Sequence, residues 1–174
     1  MVQLNWTIII IAALVPTVTG MIWYNPKVFG TAWMNLTGLT EEQLQKGSMG
    51  KKIALSLIFS LMISLAMNPI VIHQMGVFST LAGEPGIFDA TTGSINQSSE
   101  AGALLTSFME TYGDRFRTFK HGAFHGTLFT IFLILPIMAI NNTFEGKPFK
   151  LTLIHAGYWA LTLALMGGLI CQFR

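Results

Sequence analysis

The chain has 174 residues, of which 52% are apolar and 10% are charged, and its mean hydropathy is +0.57. Soluble domains carry about a quarter charged residues, so this composition excludes an ordinary soluble enzyme, a disordered tail and a nucleic-acid-binding protein. The formal net charge of +2 is too small to indicate an anionic partner. The only cysteine, Cys171, excludes an intrachain disulfide and a cysteine-based metal site. We expect one membrane domain over residues 1–174.

Four apolar stretches are long enough to cross the hydrocarbon core of a bilayer, which takes about 20 helical residues. They are residues 6–24, 53–77, 119–140 and 151–171. No Lys or Arg precedes Trp6, so we expect the first stretch to be a retained helix and not a cleaved leader. The pattern predicts an all-α fold, an integral membrane bundle of four transmembrane helices.

The connections between these stretches predict short interfacial helices. Thr40 followed by Gln43 has the spacing of a capping box, which predicts a short helix over residues 41–46. The long extramembrane loop, residues 78–118, begins with an irregular segment rich in Gly and Ser. Its second part has apolar residues at helical spacing between Glu100 and Tyr112. This spacing predicts an amphipathic helix that lies on the membrane or caps the bundle.

The first stretch ends in the sequence Trp23-Tyr24-Asn25-Pro26. Tryptophan and tyrosine are enriched at membrane interfaces, and a residue before proline avoids the α conformation. We predict an interfacial turn that sets where the first helix ends. The alternative is that Tyr24 and Asn25 line the mouth of a pocket.

Histidines give the sharpest signal for chemistry, because ionisable groups within a membrane are often functional. The second stretch ends, and the third begins, at the long loop, so His73, His121 and His125 lie in one leaflet. His121 and His125 are four residues apart and share a helix face. His155 lies nearer the opposite surface, where we expect it to hydrogen-bond across the bundle.

Three interpretations of His73, His121 and His125 stay open at this point. Their imidazoles suit a metal ion or haem ligation, for which His73 and His125 would be the axial pair. A second interpretation is hydrogen bonding at the interface and to a neighbouring helix, and a third is a proton-transfer or quinone-type role. The acidic residues that would complete a metal site are Glu84, Asp89, Glu100, Glu110 and Asp114.

Small residues repeat at four-residue spacing in two of the stretches, which allows helix backbones to approach closely. The third stretch contains Gly122 and Gly126, and the fourth contains a longer series. That series is Ala156, Ala160, Ala164 and Gly168. The two sets are expected to pack against each other within one chain, or against a second copy. His121 and His125 adjoin the glycines, so we expect them to face protein and not lipid.

The distribution of Lys and Arg predicts the orientation of the chain in the membrane. One side of the membrane would hold Lys27, Lys46, Lys51, Lys52, Lys147 and Lys150, and the other Arg115, Arg117, Lys120 and Arg174. Cytoplasmic loops carry the excess of Lys and Arg. The side with fewer basic residues would hold both termini, so we expect the termini outside. The cluster formed by Arg115, Arg117 and Lys120 favours the opposite orientation.

Several motifs together resemble one bacterial family, domain of unknown function 1761. They are Gly-Met-Ile-Trp-Tyr-Asn-Pro at residues 20–26, Phe29-Gly30, Trp33-Met34, Leu39-Thr40-Glu41-Glu42 and Arg117-x-x-Lys120-His121-Gly122-Ala123-x-His125-Gly126. The resemblance implies a small multi-pass protein of the bacterial cytoplasmic (inner) membrane, and it implies no activity. Asn25 stands where the family more often has serine, and the second loop is longer than is usual.

Function is less clear than architecture at this level. No complete catalytic constellation is visible, which favours a non-enzymatic subunit, scaffold or partner-binding module over an enzyme. Its partners would be the lipid bilayer and a second copy or another membrane protein, not nucleic acid. The alternatives are a metal- or haem-binding protein that uses His73, His121 and His125, and a small carrier or lipid-binding protein.

Overall fold

A computed structural model describes residues 4–173, and the predicted all-α fold is confirmed. The helices are α1 (Trp6–Trp23), α2 (Thr31–Thr37), α3 (Glu41–Gln45), α4 (Met49–Val71), α5 (Gln74–Leu81), α6 (Glu100–Tyr112), α7 (Phe119–Phe129), α8 (Leu135–Phe144) and α9 (Phe149–Gln172). Two π-helical turns lie at Pro26–Gly30 and Thr130–Ile134.

Four of these segments are long and apolar enough to cross a membrane. They are α1 with 18 residues, α4 with 23, the continuous segment Phe119–Phe144 with 26, and α9 with 24. Each contains most of one stretch that the sequence singled out. The outward faces of α1, α4 and Phe119–Phe144 carry many exposed apolar side chains, such as Phe132, which is 75% exposed. Such a surface suits contact with lipid and is rare on soluble proteins.

The second predicted span, residues 53–77, is wrong at its end, because α4 ends at Val71. Ile72 is extended, with φ −111° and ψ 93°, and α5 begins at Gln74. Pro69 has no N–H to donate to the Leu65 carbonyl. The Asn68 amide partly replaces that donor, at 3.5 Å from the Leu65 oxygen and 2.9 Å from the Ser64 oxygen. The break leaves His73 at the corner between α4 and α5.

The third predicted span extends to Phe144 and contains a π-helical turn at Thr130–Ile134. This turn contains Phe132, whose carbonyl would clash with the ring of Pro136 four residues later in a regular α-helix. One wider turn accommodates the proline without ending the helix. The Gly126 carbonyl beside the turn accepts from both the N–H and the hydroxyl of Thr130, the latter at 3.1 Å.

Helix α9 is the centre of the bundle. Of the four membrane-length segments it is the most buried. In its apolar 18-residue stretch 44% of the residues are buried, against 11–28% in the other three segments. It contacts α1, α4, α7 and α8. Its core residues Leu163, Met166, Ile170 and Cys171 form one cluster with Ala12 of α1 and with Met67, Val71 and Ile72 at the end of α4.

Buried hydroxyl groups link α1 to its neighbours. Thr19 and Thr162 lie with their hydroxyl oxygens 2.7 Å apart between α1 and α9, and Ser64 on α4 donates to the Ile9 carbonyl at 2.8 Å. Between membrane helices such bonds contribute about 0.6 kcal/mol on average. The bundle is therefore held by apolar packing, with these bonds fixing how the helices are rotated.

We predict that Thr19 and Thr162 are energetically coupled. In a double-mutant cycle of Thr19→Val and Thr162→Val, unfolding in detergent should give a coupling of about 0.6 kcal/mol, because each single change removes the same bond. The pair Thr19→Val and Thr127→Val is the control, since the Thr127 hydroxyl donates to the Ala123 carbonyl on its own helix at 3.0 Å. A coupling energy no larger than that of the control pair would show that the Thr19 and Thr162 hydroxyl groups do not bond to each other.

The long connection between α4 and α7 is more helical than the sequence indicated. Helix α6 has the predicted bounds, but α5 was not predicted. Between them, Phe88 and Ile95 form an isolated antiparallel bridge. The N–H and hydroxyl groups of Thr92 and the N–H of Thr91 donate to Asp89 and lower the pKa of its carboxyl group. The connection is thus built from local turns and two short helices.

The first connection also contains more helix than expected. The predicted short helix is present as α3, and the Thr40–Gln43 capping box is formed, with both reciprocal bonds made. Helix α2 and the π-helical turn Pro26–Gly30 precede it and were not predicted. Both follow directly from the end of α1.

Candidate metal centre

Three histidines from two distant parts of the chain meet at one end of the bundle. His73 lies at the corner between α4 and α5, and His121 and His125 lie one turn apart on α7. One ring nitrogen from each lies within 4.8 Å of the other two. His73 Nε2 and His121 Nε2 lie 2.9 Å apart, at hydrogen-bond distance. The structure therefore brings together the residues that the sequence singled out, and metal binding by them stays a prediction.

The spacing of these nitrogens suits a tetrahedral metal ion. With metal–nitrogen bonds of about 2.0–2.1 Å, neighbouring nitrogens of a tetrahedral zinc site lie about 3.3 Å apart. The separations among His73, His121 and His125, from 2.9 Å up to at most 4.8 Å, bracket that value.

The same geometry does not suit haem between His73 and His125. Axial histidines stand on opposite faces of a haem, with the iron and the porphyrin plane between them. The His73 and His125 ring centroids are only 4.9 Å apart, and both rings also contact His121. There is no slot for a porphyrin between the two rings, so the arrangement favours a single ion.

The acidic residues of the long loop do not join the cluster. Among residues 4–173, the donor atoms within 4.8 Å of one another here come from the three histidines. A metal ion held by them would have a fourth position open to water or another ligand. His73 is exposed and the other two are half-buried, so that position is reachable from outside. We expected His121 and His125 to face protein, and they do so only in part, because both side chains are half-buried.

Phe116 covers the cluster in an unusual backbone conformation. Its ring stacks on His121 with the centroids 5.0 Å apart and meets His73 edge-on at 6.2 Å. Its φ is +62°, a left-handed value that is rare for a bulky residue and needs a rigid surrounding. The Phe116 carbonyl accepts from the Thr118 N–H at 2.9 Å and the Cys171 thiol at 3.2 Å. These contacts hold the strained residue against the histidines.

Gln74 connects the two parts of the chain that carry the histidines. Its buried side-chain amide donates to the carbonyls of Tyr112 and Arg115, both at 2.9 Å. Those carbonyls belong to the turn that leads through Phe116 to α7. Gln74 therefore fixes the position of His73, its chain neighbour, relative to His121. Sequence reasoning missed both Gln74 and Phe116, because neither belongs to a recognisable motif.

Close packing of α7 on α9 sets the direction of His121 and His125. A Cβ on Gly122 would overlap the Gly167 carbonyl, and one on Gly126 would overlap the Leu163 carbonyl. The glycines therefore face the α9 backbone. The two histidines, each one residue earlier and about 100° around the helix, lie to the side, towards the corner at His73.

The glycines thus pack within one chain, which was one of the two predicted alternatives. Of the predicted series Ala156, Ala160, Ala164 and Gly168, only Ala164 is among the nearest neighbours of these two glycines. Gly122 meets Gly167 and Cys171, and Gly126 meets Leu163 and the Ala164 backbone, while Gly168 lies under the Phe119 ring. Ala156 is buried and Ala160 is half-buried, away from these glycine contacts.

The comparison with protein families agrees with the motifs. A family model described as "Protein of unknown function (DUF1761)" matches residues 7–171, which include all three histidines. The chain belongs to this family. No curated protein and no solved structure matches it. The predicted resemblance is confirmed, and the family description supplies no activity.

In this member of the DUF1761 family, the motif Trp23-Tyr24-Asn25-Pro26 is tied to α9 at the other end of the bundle. The Trp23 indole donates to the Ile154 carbonyl at 3.0 Å, and the Tyr24 hydroxyl lies 2.8 Å from Nδ1 of His155. Asn25 accepts from the Lys27 N–H at 3.0 Å and begins the π-helical turn. These contacts favour a structural turn, and they give His155 the partner across the bundle that was expected.

Proposed function

We propose that this protein is a multi-pass membrane protein that binds one divalent transition-metal ion through His73, His121 and His125. The observation that carries the proposal is the convergence of three imidazoles from two distant segments, with donor atoms within 4.8 Å of one another. Three histidines with an open fourth position are the ligand set of some catalytic zinc sites, whereas structural sites are closed by four ligands. Zn²⁺ is therefore the ion that we favour.

A role as a non-enzymatic subunit, scaffold or partner-binding module stays a prediction beside this one. No contact in the described residues favours it as the histidine cluster favours a metal ion. The open fourth position would allow a bound ligand or hydrolytic chemistry, since zinc lowers the pKa of its water. Location in the bacterial cytoplasmic membrane, with the termini outside, is part of the proposal and is supported by the family resemblance and the count of basic residues.

Metal analysis of the protein purified in mild detergent tests the proposal. We expect one zinc ion per chain after incubation with stoichiometric zinc and removal of the excess. The double variant His121→Ala, His125→Ala should lose the ion, because one imidazole alone holds zinc weakly. The variant His155→Gln should keep it, because His155 bonds to Tyr24 at the other end of the bundle.

The controls make the outcome decisive. Circular dichroism and thermal unfolding show whether each variant is folded. A folded wild-type protein that takes up no zinc, copper, nickel or cobalt would overturn the proposal. So would a folded double variant that retains the ion as well as the wild type does.

A further inference from the structure

A cavity of about 380 Å³ opens beside the histidine cluster. It lies between α5, α6 and the turn that leads to α7. Its walls include His73, Val77, Phe108, Tyr112, Arg115 and Phe116. Sites for small molecules commonly measure about 300–1,000 Å³ and combine an apolar lining with a few polar groups. The volume of this cavity lies within that range, and its lining is almost entirely apolar.

Arg115 is the one arginine or lysine among the residues that line the cavity, and its side chain is exposed beside mainly aromatic and aliphatic walls. The Arg115 guanidinium carbon lies 5.0 Å from the Tyr112 ring centroid. Within residues 4–173, Arg115 has no carboxylate at ion-pair distance, and no acidic side chain lines the cavity. An anionic group is therefore favoured at the Arg115 side, and an apolar group along Val77, Phe108 and Phe116.

We propose that this cavity binds a long-chain carboxylate. Its head would lie between Arg115 and the metal ion at His73, and its chain would lie along the aromatic wall. One guanidinium matches a single negative charge and can bind a carboxylate with two parallel hydrogen bonds. A carboxylate oxygen is also an accepted zinc ligand for the open fourth position. The contact with metal rests on the function proposed above, whereas the contact with Arg115 does not.

The position of the cavity favours a ligand that reaches it from the bilayer. His73 and Gln74 lie at the end of α4, just beyond a segment long enough to span the membrane. Phe116 is 60% exposed at the cavity wall, and Tyr112 is 39% exposed. An apolar chain could leave the hydrocarbon and cover these rings while its head stays at the polar surface.

Binding of hexadecanoate to the protein in phosphatidylcholine nanodiscs tests this inference. Hexadecanol has the same chain without the charge, and hexadecyl phosphate carries a different anion. We expect hexadecanoate to bind about tenfold or more tightly than the alcohol, the factor that one charge-assisted hydrogen bond contributes. It should also bind more tightly than the phosphate. Zinc should strengthen its binding to the wild type but not to the variant His121→Ala, His125→Ala.

Variants of Arg115 separate the head group contact from general partitioning into lipid. Arg115→Gln should weaken hexadecanoate binding by about tenfold or more, and Arg115→Lys should restore part of it. Lys120→Gln is the matched control, because Lys120 carries the same charge nearby but does not line the cavity. Circular dichroism and thermal unfolding of the same samples report whether each variant is folded, independently of metal uptake.

The outcomes distinguish this inference from the proposed metal site. Equal binding of acid and alcohol, or unchanged binding in Arg115→Gln, would overturn it even if zinc is bound. Tighter binding of the phosphate would also overturn it and would assign the cavity to a lipid phosphate. Arg115-dependent binding of the acid to a protein that takes up no metal would support the cavity assignment while the metal proposal fails.

Discussion

Replacing Gly126 by alanine should destabilise the bundle, although alanine normally stabilises a helix relative to glycine. A Cβ at Gly126 would overlap the Leu163 carbonyl oxygen and lie 2.9 Å from the Ala164 nitrogen. Both atoms belong to the backbone of α9, the central helix, so they cannot move aside as a flexible side chain would. Overpacking of this kind costs about 1–3 kcal/mol, and Gly126→Val should prevent α7 from docking.

Gly76→Ala is the matched control for this prediction. Gly76 is also helical, in α5, and a Cβ there would meet no atom within 4 Å. Its replacement should stabilise the protein by about 0.5–1 kcal/mol, the ordinary difference between the two residues in a helix. Thermal unfolding in detergent measures both. If Gly126→Ala were as stable as Gly76→Ala, the close approach of α7 to α9 would be wrong.

Gln74→Leu should weaken zinc binding although it leaves all three histidines in place. The change removes two hydrogen bonds of 2.9 Å and leaves the Tyr112 and Arg115 carbonyls without this donor. The turn that holds Phe116 against His121 would then loosen. Loss of a supporting residue typically lowers metal affinity by about 10- to 100-fold. Calorimetric titration with zinc should show this loss with the stoichiometry still at one.

Two comparisons show whether Gln74 positions the ligands or only stabilises the fold. Thr19→Val destabilises the bundle far from the histidines, so it should leave zinc affinity unchanged. Gln45→Leu, on the exposed helix α3, is the control for replacing a glutamine by leucine. It should change neither the zinc affinity nor the stability of the fold. Zinc affinity that falls equally in Gln74→Leu and Thr19→Val would contradict a positioning role for Gln74.

The number and placement of the membrane-length helices could be predicted because they depend on local properties of the chain. Apolar length defines each helix, and capping residues such as Thr40 define where short helices begin. The meeting of His73 with His121 and His125 could be predicted for a similar reason. Residues at the ends of two consecutive spans joined by one loop must lie on the same side of the membrane.

The end of α4 could not be predicted from hydropathy. The apolar pattern continues through Val77, and proline within a membrane helix does not by itself end it, as Pro16 in α1 illustrates. In α4 the chain leaves the helix three residues after Pro69, at Ile72. This break decides where His73 lies, so the sequence indicated which residues form the cluster but not how His73 reaches it.

The supporting contacts depend on tertiary structure and left no pattern in the sequence. Gln74 is important because two carbonyls from a distant turn lie at its amide, and Phe116 because its neighbours impose a positive φ. The partners of Gly122 were also not predictable. Small residues lie on more than one face of α9. The rotation of α9 about its axis decides that Gly167, and not a residue of the predicted alanine series, faces Gly122.

X-ray absorption spectroscopy of the zinc-loaded protein tests the proposed metal site most directly, because it counts ligands and distinguishes nitrogen from sulfur. We expect three imidazole nitrogens at about 2.0–2.1 Å and one further oxygen ligand. In His121→Ala, His125→Ala this spectrum should disappear with the metal. A zinc–sulfur distance of about 2.3 Å, which only Cys171 or a methionine could supply, or fewer than three imidazoles on the bound ion, would contradict the site.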